Sequence, residues 1–386
     1  MAFTGKAIYD TGVFSDVAED VSDIVSMIAP FETPLLDLLG DADRPAENVL
    51  HQWLEDDLAP NTIVTSVAVN STATGTGLSS NSFDIAGSVA RFLQVGAILR
   101  APDDTENAAS TTGSPEMMQI TAISGDTITV KRAFAGTSAN SLAAGASLSV
   151  VVDAANDGAD VTVDISRPRS HKSNYTQIIK RDIIISGTMM AMRQLGGITS
   201  EWDHQKRART REGLRDLNKA VIVGRLSGNT IGSASNMRTF SGLLEQLSSN
   251  KVTVTTFGDS ALVSSIKKGW DNGGQLDTIV CGDVVKSAID QLNSARVRTT
   301  NAEGTFQNKV TQYGCTYGEF DVMLDRWMPA RRFAVIARDR VKVVPLAGRS
   351  FQFQDVGKTG DSMKGMVLGE YSLEVRNQNG MVQGRM

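Results

Sequence analysis

The longest predicted helix of the chain lies in the segment TSEWDHQKRARTREGLRDLNKAVIVG, residues 199–224. Thr199 or Ser200 is placed to cap its first turn. Ten residues of 199–219 are charged, which predicts a largely solvated surface. One apolar stripe at helical spacing is expected to be buried: Leu214, Leu217, Val221 and Gly224. A helix over about 200–226 would be about 40 Å long, which is typical of a rod or spine and long for a compact enzyme core.

Strand patterns fill the chain before this helix. Residues 174–187 alternate and then run apolar through Ile183-Ile184-Ile185, which predicts a strand. Residues 58–98 contain only two charged side chains, and the alternation within them also favours strand. Short strands cluster over 93–153 around a tight turn at 124–126, and both ends of this segment flank strand-like chain. We therefore expect 93–153 to be a small inserted β unit.

The two ends of the chain differ from this middle region. The spacing of apolar residues predicts an amphipathic helix over 16–28. A short helix follows, with Thr33 as N-cap, Pro34 at its first position and Gly40 as its stop. Its four leucines favour an arm that contacts two surfaces, and an ordinary buried helix is the alternative. The C-terminal third alternates helix and strand patterns.

Composition excludes several classes of protein. The 386 residues are 41% hydrophobic and 21% charged, close to the average for globular proteins, which argues against disorder. Two cysteines cannot support a disulfide scaffold of this length. No apolar run approaches the ~18 residues of a membrane helix, and the first residues do not resemble a signal peptide. A soluble protein of a reducing compartment is expected.

Charge is distributed unevenly. The net charge is −5, which argues against a protein that neutralises many nucleic-acid phosphates. Residues 1–60 alone hold thirteen acidic and two basic residues, whereas residues 167–219 hold twelve basic and five acidic ones. The acidic segment is therefore predicted to pack against the basic helix of its own or an adjacent subunit. Two separately solvated faces are the alternative.

Motifs that carry chemistry are absent or incomplete. The three histidines (His51, His171 and His204) are scattered, and His204 is expected to be exposed. Cys281 is expected to be a buried structural thiol. Gly357-Lys358-Thr359 resembles the end of a phosphate-binding loop, but Gln352 occupies the place of its first glycine. The triplet 55–57 is acidic but lacks the spaced ligands of a calcium loop, and Gly75-Thr76-Gly77 lacks the third glycine of a dinucleotide fingerprint. No catalytic, cofactor-binding or metal-binding residue is predicted.

Several short motifs resemble the major capsid (major head) proteins of tailed bacteriophages, a fold shared with encapsulin nanocompartments. Residues 30–36, PFETPLL, resemble the N-terminal signature of that family, and Trp53 with Asp57 and Leu58 resembles the motif that follows it. Further matches cover the predicted β insertion, the strand before the long helix and the last strands: Val95-Gly96, 123–130, 174–178, 186–188, 358–361 and 370–375. The resemblance covers nearly the whole chain.

The resemblance implies an α+β fold with a division of labour along the chain. Residues 1–50 would be an N-terminal arm, and 51–185 an extension loop that contains the inserted β-domain at 93–153. Residues 186–255 and 335–386 would form the peripheral domain with the spine helix at about 200–226, and 256–334 the axial domain. On this reading the arm and the loop have no core of their own, and their apolar residues are buried only on assembly.

The resemblance also implies a function. The protein would be a structural, non-enzymatic capsid subunit that self-assembles into pentamers and hexamers of an icosahedral or prolate head around double-stranded DNA. It would bind itself, a portal, scaffolding and cement or decoration proteins, and it would use no cofactor and no membrane. It would be a virion component assembled in the host cytoplasm. An encapsulin-like compartment is the alternative; a β-rich binding module and an enzyme are weaker rivals.

Overall fold

The computed structural model describes residues 32–56, 61–69, 80–101, 115–139, 141–154, 157–158, 169–192, 200–228, 231–233, 235–292, 297–298 and 311–386. The chain forms two compact units. Unit 1 contains the residues up to Trp53 together with His171–Met386, and unit 2 contains Leu54–Ser170. The predicted helix over 16–28 lies outside the described residues.

The secondary structure mixes helix and strand, as the predicted α+β class requires. The helices are α1 (Pro34–Leu39), α2 (Gly187–Ala191), α3 (Glu201–Val223), α4 (Leu243–Gln246), α5 (Asp259–Asp271) and α6 (Asp283–Asp290). The strands are β1 (Leu50–Glu55), β2 (Thr62–Val64), β3 (Ser80–Asp84), β4 (Ala97–Arg100), β5 (Met117–Ser124), β6 (Thr127–Lys131), β7 (Ser147–Asp153), β8 (Ser170–Tyr175), β9 (Gln177–Ser186), β10 (Lys251–Thr253), β11 (Thr278–Cys281), β12 (Val297–Arg298), β13 (Gln312–Cys315), β14 (Gly318–Leu324), β15 (Arg332–Ile336), β16 (Val341–Pro345), β17 (Gln352–Thr359), β18 (Ser362–Val375) and β19 (Val382–Arg385). None of the helices among the described residues is long and apolar enough to cross a membrane.

Two sheets organise unit 1. A seven-stranded sheet has the order β10-β19-β15-β11-β14-β13-β12, with β10–β19 and β11–β14 parallel. Apolar residues of α5 and α6 pack into one core with this sheet. In the second sheet, the long strand β18 pairs with β16 and β17 and also with β9. The strands β1 and β8 form a separate two-stranded sheet.

The long helix was predicted with nearly its observed bounds. The Ser200 hydroxyl accepts the backbone N–H of Asp203, which confirms the predicted cap. Leu217 and Val221 are buried as expected, whereas Leu214 lies at the boundary with solvent. The helix ends at Gly224 because the chain there approaches itself: the Gly242 N–H donates to the Gly224 carbonyl at 3.0 Å. A Cβ on Gly242 would lie 2.6 Å from the Gly224 nitrogen, so glycine is required.

Unit 2 is built around one six-stranded sheet of order β2-β7-β4-β5-β6-β3. The turn between β5 and β6 contains Gly125 at a φ of 59°, in the left-handed region that favours glycine. The sheet takes β2 and β3 from outside residues 93–153, so the compact unit is larger than that segment. The domain boundaries along the chain, including the insertion at 93–153, stay predictions.

The expectation that the loop has no core of its own, with its apolar residues buried only on assembly, is wrong for the described residues. Unit 2 has its own hydrophobic core: Ile63, Val69, Phe83, Ile85, Ala90, Leu93, Ala97, Leu99, Ala101, Met118, Ile120, Ile128, Val130, Leu142, Ala146 and Leu148. The alternation of these strands gives the sheet an apolar face, and the chain around it is long enough to cover that face within one copy.

Candidate assembly surfaces

The described part of the N-terminal arm packs on its own chain. Leu35 and Leu39 lie in one core with Leu217 and Val221 of α3, and Leu35 has no exposed surface. The backbone N–H of Leu36 donates to Asn218 Oδ1 at 3.1 Å. Of the two readings of the arm helix, the buried helix therefore describes α1.

A hydrogen-bonded clasp holds the described arm at Glu32. The indole N–H of Trp327 donates to the Glu32 carbonyl at 2.9 Å, and the Arg326 guanidinium binds the Glu32 carboxylate at 3.1 Å. Asn218 Nδ2 donates to the buried carboxylate of Asp325 at 3.0 Å, which also accepts the Trp327 backbone N–H. The clasp thus ties the arm to α3 and to the loop after β14.

The predicted attraction between acidic arm and basic helix stays a prediction. Glu32, at the start of the described arm, pairs with Arg326, which lies outside 199–219. The charges of α3 include local pairs such as Arg209–Glu212 and Lys206–Asp203. The acidic residues before position 32 lie outside the described residues.

A buried carboxylate holds the loop after α3. Glu370 on β18 is 2% exposed and accepts the Thr176 hydroxyl at 2.6 Å. It forms ion pairs with Arg238 and, at 2.9 Å, with Arg349. Arg238 also donates to the Thr176 carbonyl at 2.8 Å. Glu370 therefore holds three separate chain segments together. Burying this carboxylate without a cationic partner would be costly.

A groove runs beside β9 on unit 1. It has a volume of about 570 Å³ and is lined by residues 182–186, Met189 and three side chains of the first turns of α3, Glu201, Gln205 and Arg209. Ile184 in this groove is 64% exposed. Because consecutive residues of β9 line it, the groove follows the edge of the strand rather than one of its faces.

Unit 2 has an apolar surface of its own. Val95, Val151 and Val152 are each about half exposed. Strand pairing places Val152 opposite Ile98, and the register shift between Ile98 and Leu99 leaves Val151 unpaired with β4. A β-bulge of this kind turns side chains outward at the end of a ladder, and exposed valines there suit contact with another molecule.

The residues considered for chemistry lie apart and in structural roles. Cys281 is buried in β11, its thiol donates to the Met323 carbonyl, and burial raises its pKa to about 12. The neutral thiol is therefore held, and a thiolate nucleophile is disfavoured. Of the histidines, His51 binds Glu374 at 2.8 Å, His171 is exposed on β8, and His204 is part-exposed on α3.

The remaining motif fragments form no site. Gly357-Lys358-Thr359 ends β17, a strand paired with β18, so these residues do not open a helix as a phosphate loop would. Asp56 lies 3.9 Å from Arg169, and the described residues contain no group of three His, Cys, Asp or Glu side chains able to hold a metal ion. Gly75 and Gly77 lie outside the described residues.

Comparison with known families decides the identity. The model of the SU10 major capsid protein family matches residues 3–384, nearly the whole chain. The chain belongs to the SU10 major capsid protein family. The resemblance to phage major capsid proteins is thereby confirmed, and the protein is a structural component of a virion that associates with copies of itself. A search of curated proteins finds no match.

Solved structures resemble this capsid protein more distantly. A Gordonia phage Cozz structure is 14% identical and covers 61% of this chain and 78% of its own, with a TM-score of 0.42. The mature capsid of bacteriophage PhiM1 is 8% identical over 61% and 79%, with a TM-score of 0.41. The SrpI encapsulin of Synechococcus elongatus PCC 7942 is 10% identical over 56% and 75%, with a TM-score of 0.39.

Sequence reasoning missed several residues that shape this capsid protein. Apart from the match at 358–361, the strand β17 and the first half of β18 were not predicted. Phe351 and Phe353, the latter on β17, pack against a small buried cluster that includes Trp202. The Glu370 hub and the Asn218–Asp325 link were also missed, because buried polar residues look like surface residues in a sequence. The signal available was Glu370 within the run 366–375, which is otherwise mostly apolar.

Proposed function

We propose that this capsid protein assembles into pentamers and hexamers of an icosahedral or prolate head that encloses double-stranded DNA. The family match over residues 3–384 carries the proposal. The work of such a protein is geometric: one contact repeated around a ring closes it, and small adjustments let the same subunit form rings of two sizes.

The two units supply what this function needs. Each has a core buried within a single copy, which favours a subunit that folds before it assembles. Each also exposes apolar side chains, such as Ile184 and Val152. Individual contacts can be weak because a subunit in a shell makes many of them at once.

Roles for the chain segments follow the resemblance. Residues 1–50 serve as the arm and 51–185 as the extension loop with its insertion at 93–153. Residues 186–255 and 335–386 serve as the peripheral domain, and 256–334 as the axial domain. Portal, scaffolding and cement or decoration proteins are the partners, DNA is enclosed without sequence-specific binding, and assembly takes place in the host cytoplasm.

Electron microscopy of the expressed protein tests the proposal. Closed shells tens of nanometres wide are expected on the scale of phage heads, in agreement with multivalent assembly. A monomer that never forms shells, alone or with the products of neighbouring genes, would refute it. Terminase, portal and protease genes beside this one favour the phage head; an adjacent cargo enzyme found inside purified shells would favour the encapsulin-like alternative.

A further inference from the structure

Basic side chains gather around the strands β10, β19 and β15 of the seven-stranded sheet. We call the cluster formed by Lys251, Lys268, Arg331, Arg332 and Arg385 the basic edge. Arg332 on β15 lies directly opposite Arg385 on β19, and Arg385 lies opposite Thr253 on β10. The Lys268 ammonium donates to the Lys251 carbonyl at 3.5 Å, and the Met386 N–H donates to the Arg331 carbonyl at 2.9 Å.

Within the described residues, no carboxylate lies within 4.0 Å of any cation of the basic edge. Arg332 donates instead to the neutral amide of Gln383 at 3.3 Å. Asp283 follows Gly282, whose N–H donates to the Arg332 carbonyl. The Asp283 carboxylate accepts the backbone N–H of Val284. Like charges directly opposite on a sheet are destabilising. Such an edge is unexpected in a chain of net charge −5 unless something outside it supplies the counter-charge.

The same chain also exposes an acidic surface whose carboxylates have no cationic partner in the part of the chain that the structure describes. The loop between α1 and β1 exposes Asp41, Asp43 and Glu47, against one exposed basic residue, Arg44. None of these carboxylates has a cation within 4.0 Å among the described residues. We call these three residues the acidic loop.

The acidic loop is held in a fixed position. The N–H of Ala42 donates to the Val343 carbonyl and the N–H of Ala46 to the Pro345 carbonyl, each at 2.8 Å. The N–H of Ala347 donates back to the Ala46 carbonyl at 2.9 Å. The loop is therefore bound along β16, and a partner binding it would order little additional chain.

We propose that the basic edge of one copy docks on the acidic loop of a second copy. The two surfaces belong to different sheets, and no ion pair joins them within the described chain. Two different, complementary surfaces make a head-to-tail contact, which is the kind that closes rings. The proposal rests on self-assembly as the proposed function and names one contact that drives it. Nucleic acid is the less favoured partner, because the chain is acidic overall and exposes the counter-charge itself.

Charge swapping tests this contact. Arg385→Glu and Asp43→Lys, made separately, each place like charges in the contact. The yield of shells at physiological salt is therefore expected to fall at least about tenfold. The double variant restores the attraction with its sign reversed, so shell yield is expected to return to within about twofold of the unchanged protein. Both side chains are exposed, so unchanged melting temperatures check that each variant is folded. Lys358→Glu on the exposed half of β17 is the control for altered net charge.

Each other outcome contradicts the contact in its own way. Single variants that form shells as well as the unchanged protein would overturn it and leave the proposed function standing. Single variants that fail without rescue in the double variant would show that these surfaces do not meet. Arg385→Glu shells that form normally but retain less nucleic acid would assign the basic edge to nucleic acid. Failure of the unchanged protein to form any shell would refute the proposed function, and the contact with it.

Discussion

The two units use different kinds of core. Unit 2 is a continuous segment, and its described buried residues are apolar except for Thr65, Glu116 and Arg132. Unit 1 joins chain segments far apart in sequence, and it buries many polar groups: Thr33, Asn174, Thr176, Asn218, Asn250, Ser265, Thr278, Lys286, Asp325, Glu370, Ser372, Glu374 and Gln383.

The difference follows from how each core is specified. Consecutive strands joined by tight turns find their register through the turns and the alternation of apolar residues. Segments that meet from distant parts of a chain have no such guide, and a buried polar group that must find its partner penalises wrong pairings. Asn218 illustrates this, since it binds Leu36 and Asp325, far on either side of it in sequence. We infer that polar anchors specify unit 1, whereas apolar alternation specifies most of unit 2.

The largest expected effect is at the ion pair buried among the described residues of unit 2. Arg132 and Glu116 have no exposed surface and are joined by two hydrogen bonds of 2.6 Å. Arg132→Met leaves the carboxylate buried without its guanidinium and should cost about 3–5 kcal/mol. Hydrogen-exchange mass spectrometry across a denaturant series reads the loss in residues 54–170. The double variant Glu116→Leu with Arg132→Met replaces both charges by apolar side chains. If it is as unstable as Arg132→Met alone, unit 2 also depends on a buried polar pair for its stability.

Leu35 tests the apolar anchor of unit 1. Leu35→Ala should cost about 2–5 kcal/mol, because it empties a fully buried site shared with α3. Leu35→Asp should unfold unit 1, because it places a carboxylate in the same fully buried site. Leu38→Ala in the same helix, at a part-exposed position, is the matched control and should cost less. Equal losses in denaturant unfolding would show that α1 is not docked as described.

Asn218 tests the polar anchor directly. Asn218→Leu keeps the volume but leaves the Leu36 N–H and one Asp325 oxygen without their partner, at a cost of about 2 kcal/mol. Asn272→Leu removes an exposed amide that donates to the Lys268 carbonyl and should change the free energy of unfolding by less than about 0.5 kcal/mol. A neutral Asn218→Leu variant would remove the distinction between the two cores.

Gly213 in α3 tests how tightly the helix packs on its sheet. Glycine to alanine inside a helix ordinarily stabilises by about 1 kcal/mol. Here the new Cβ would lie 2.9 Å from the ring of Phe351, so Gly213→Ala should destabilise by about 1 kcal/mol. In a Phe351→Leu background the same substitution should become neutral or stabilising, and thermal unfolding of the four proteins reveals whether the sign changes.

The smallest effect is expected at Glu374. Burial opposes the charged carboxylate, but hydrogen bonds from His51 and Arg376 outweigh it and lower the pKa of Glu374. Because the pKa is lower in the folded state, the ionised carboxylate stabilises the fold at pH values above its ordinary pKa of about 4.3. That stability is lost as the pH falls from there through the folded-state pKa. The free energy of unfolding, measured at several pH values, should therefore fall more steeply with acid in the unchanged protein than in Glu374→Gln. Parallel curves for the two proteins would mean that the ionised Glu374 carboxylate does not stabilise unit 1.

The fold could be predicted where the pattern is local. The cap at Ser200 and the turn at Gly125 each depend on residues within a few positions, so periodicity and turn chemistry sufficed. The strand β17 was missed because its second half is exposed and includes a register shift near Gly357. The Glu370 hub was missed because its partners Thr176 and Arg238 are distant in sequence.

The sequence by itself determined the family, the long helix and the uneven distribution of charge, since each is written in neighbouring residues. Only the tertiary structure decided that unit 2 has its own core and that α1 docks on α3. It also decided that the five cations of the basic edge, from four separate segments, gather around β10, β19 and β15. Burial and charge environment depend on which distant segments meet, and strand pairing rather than local spacing sets that.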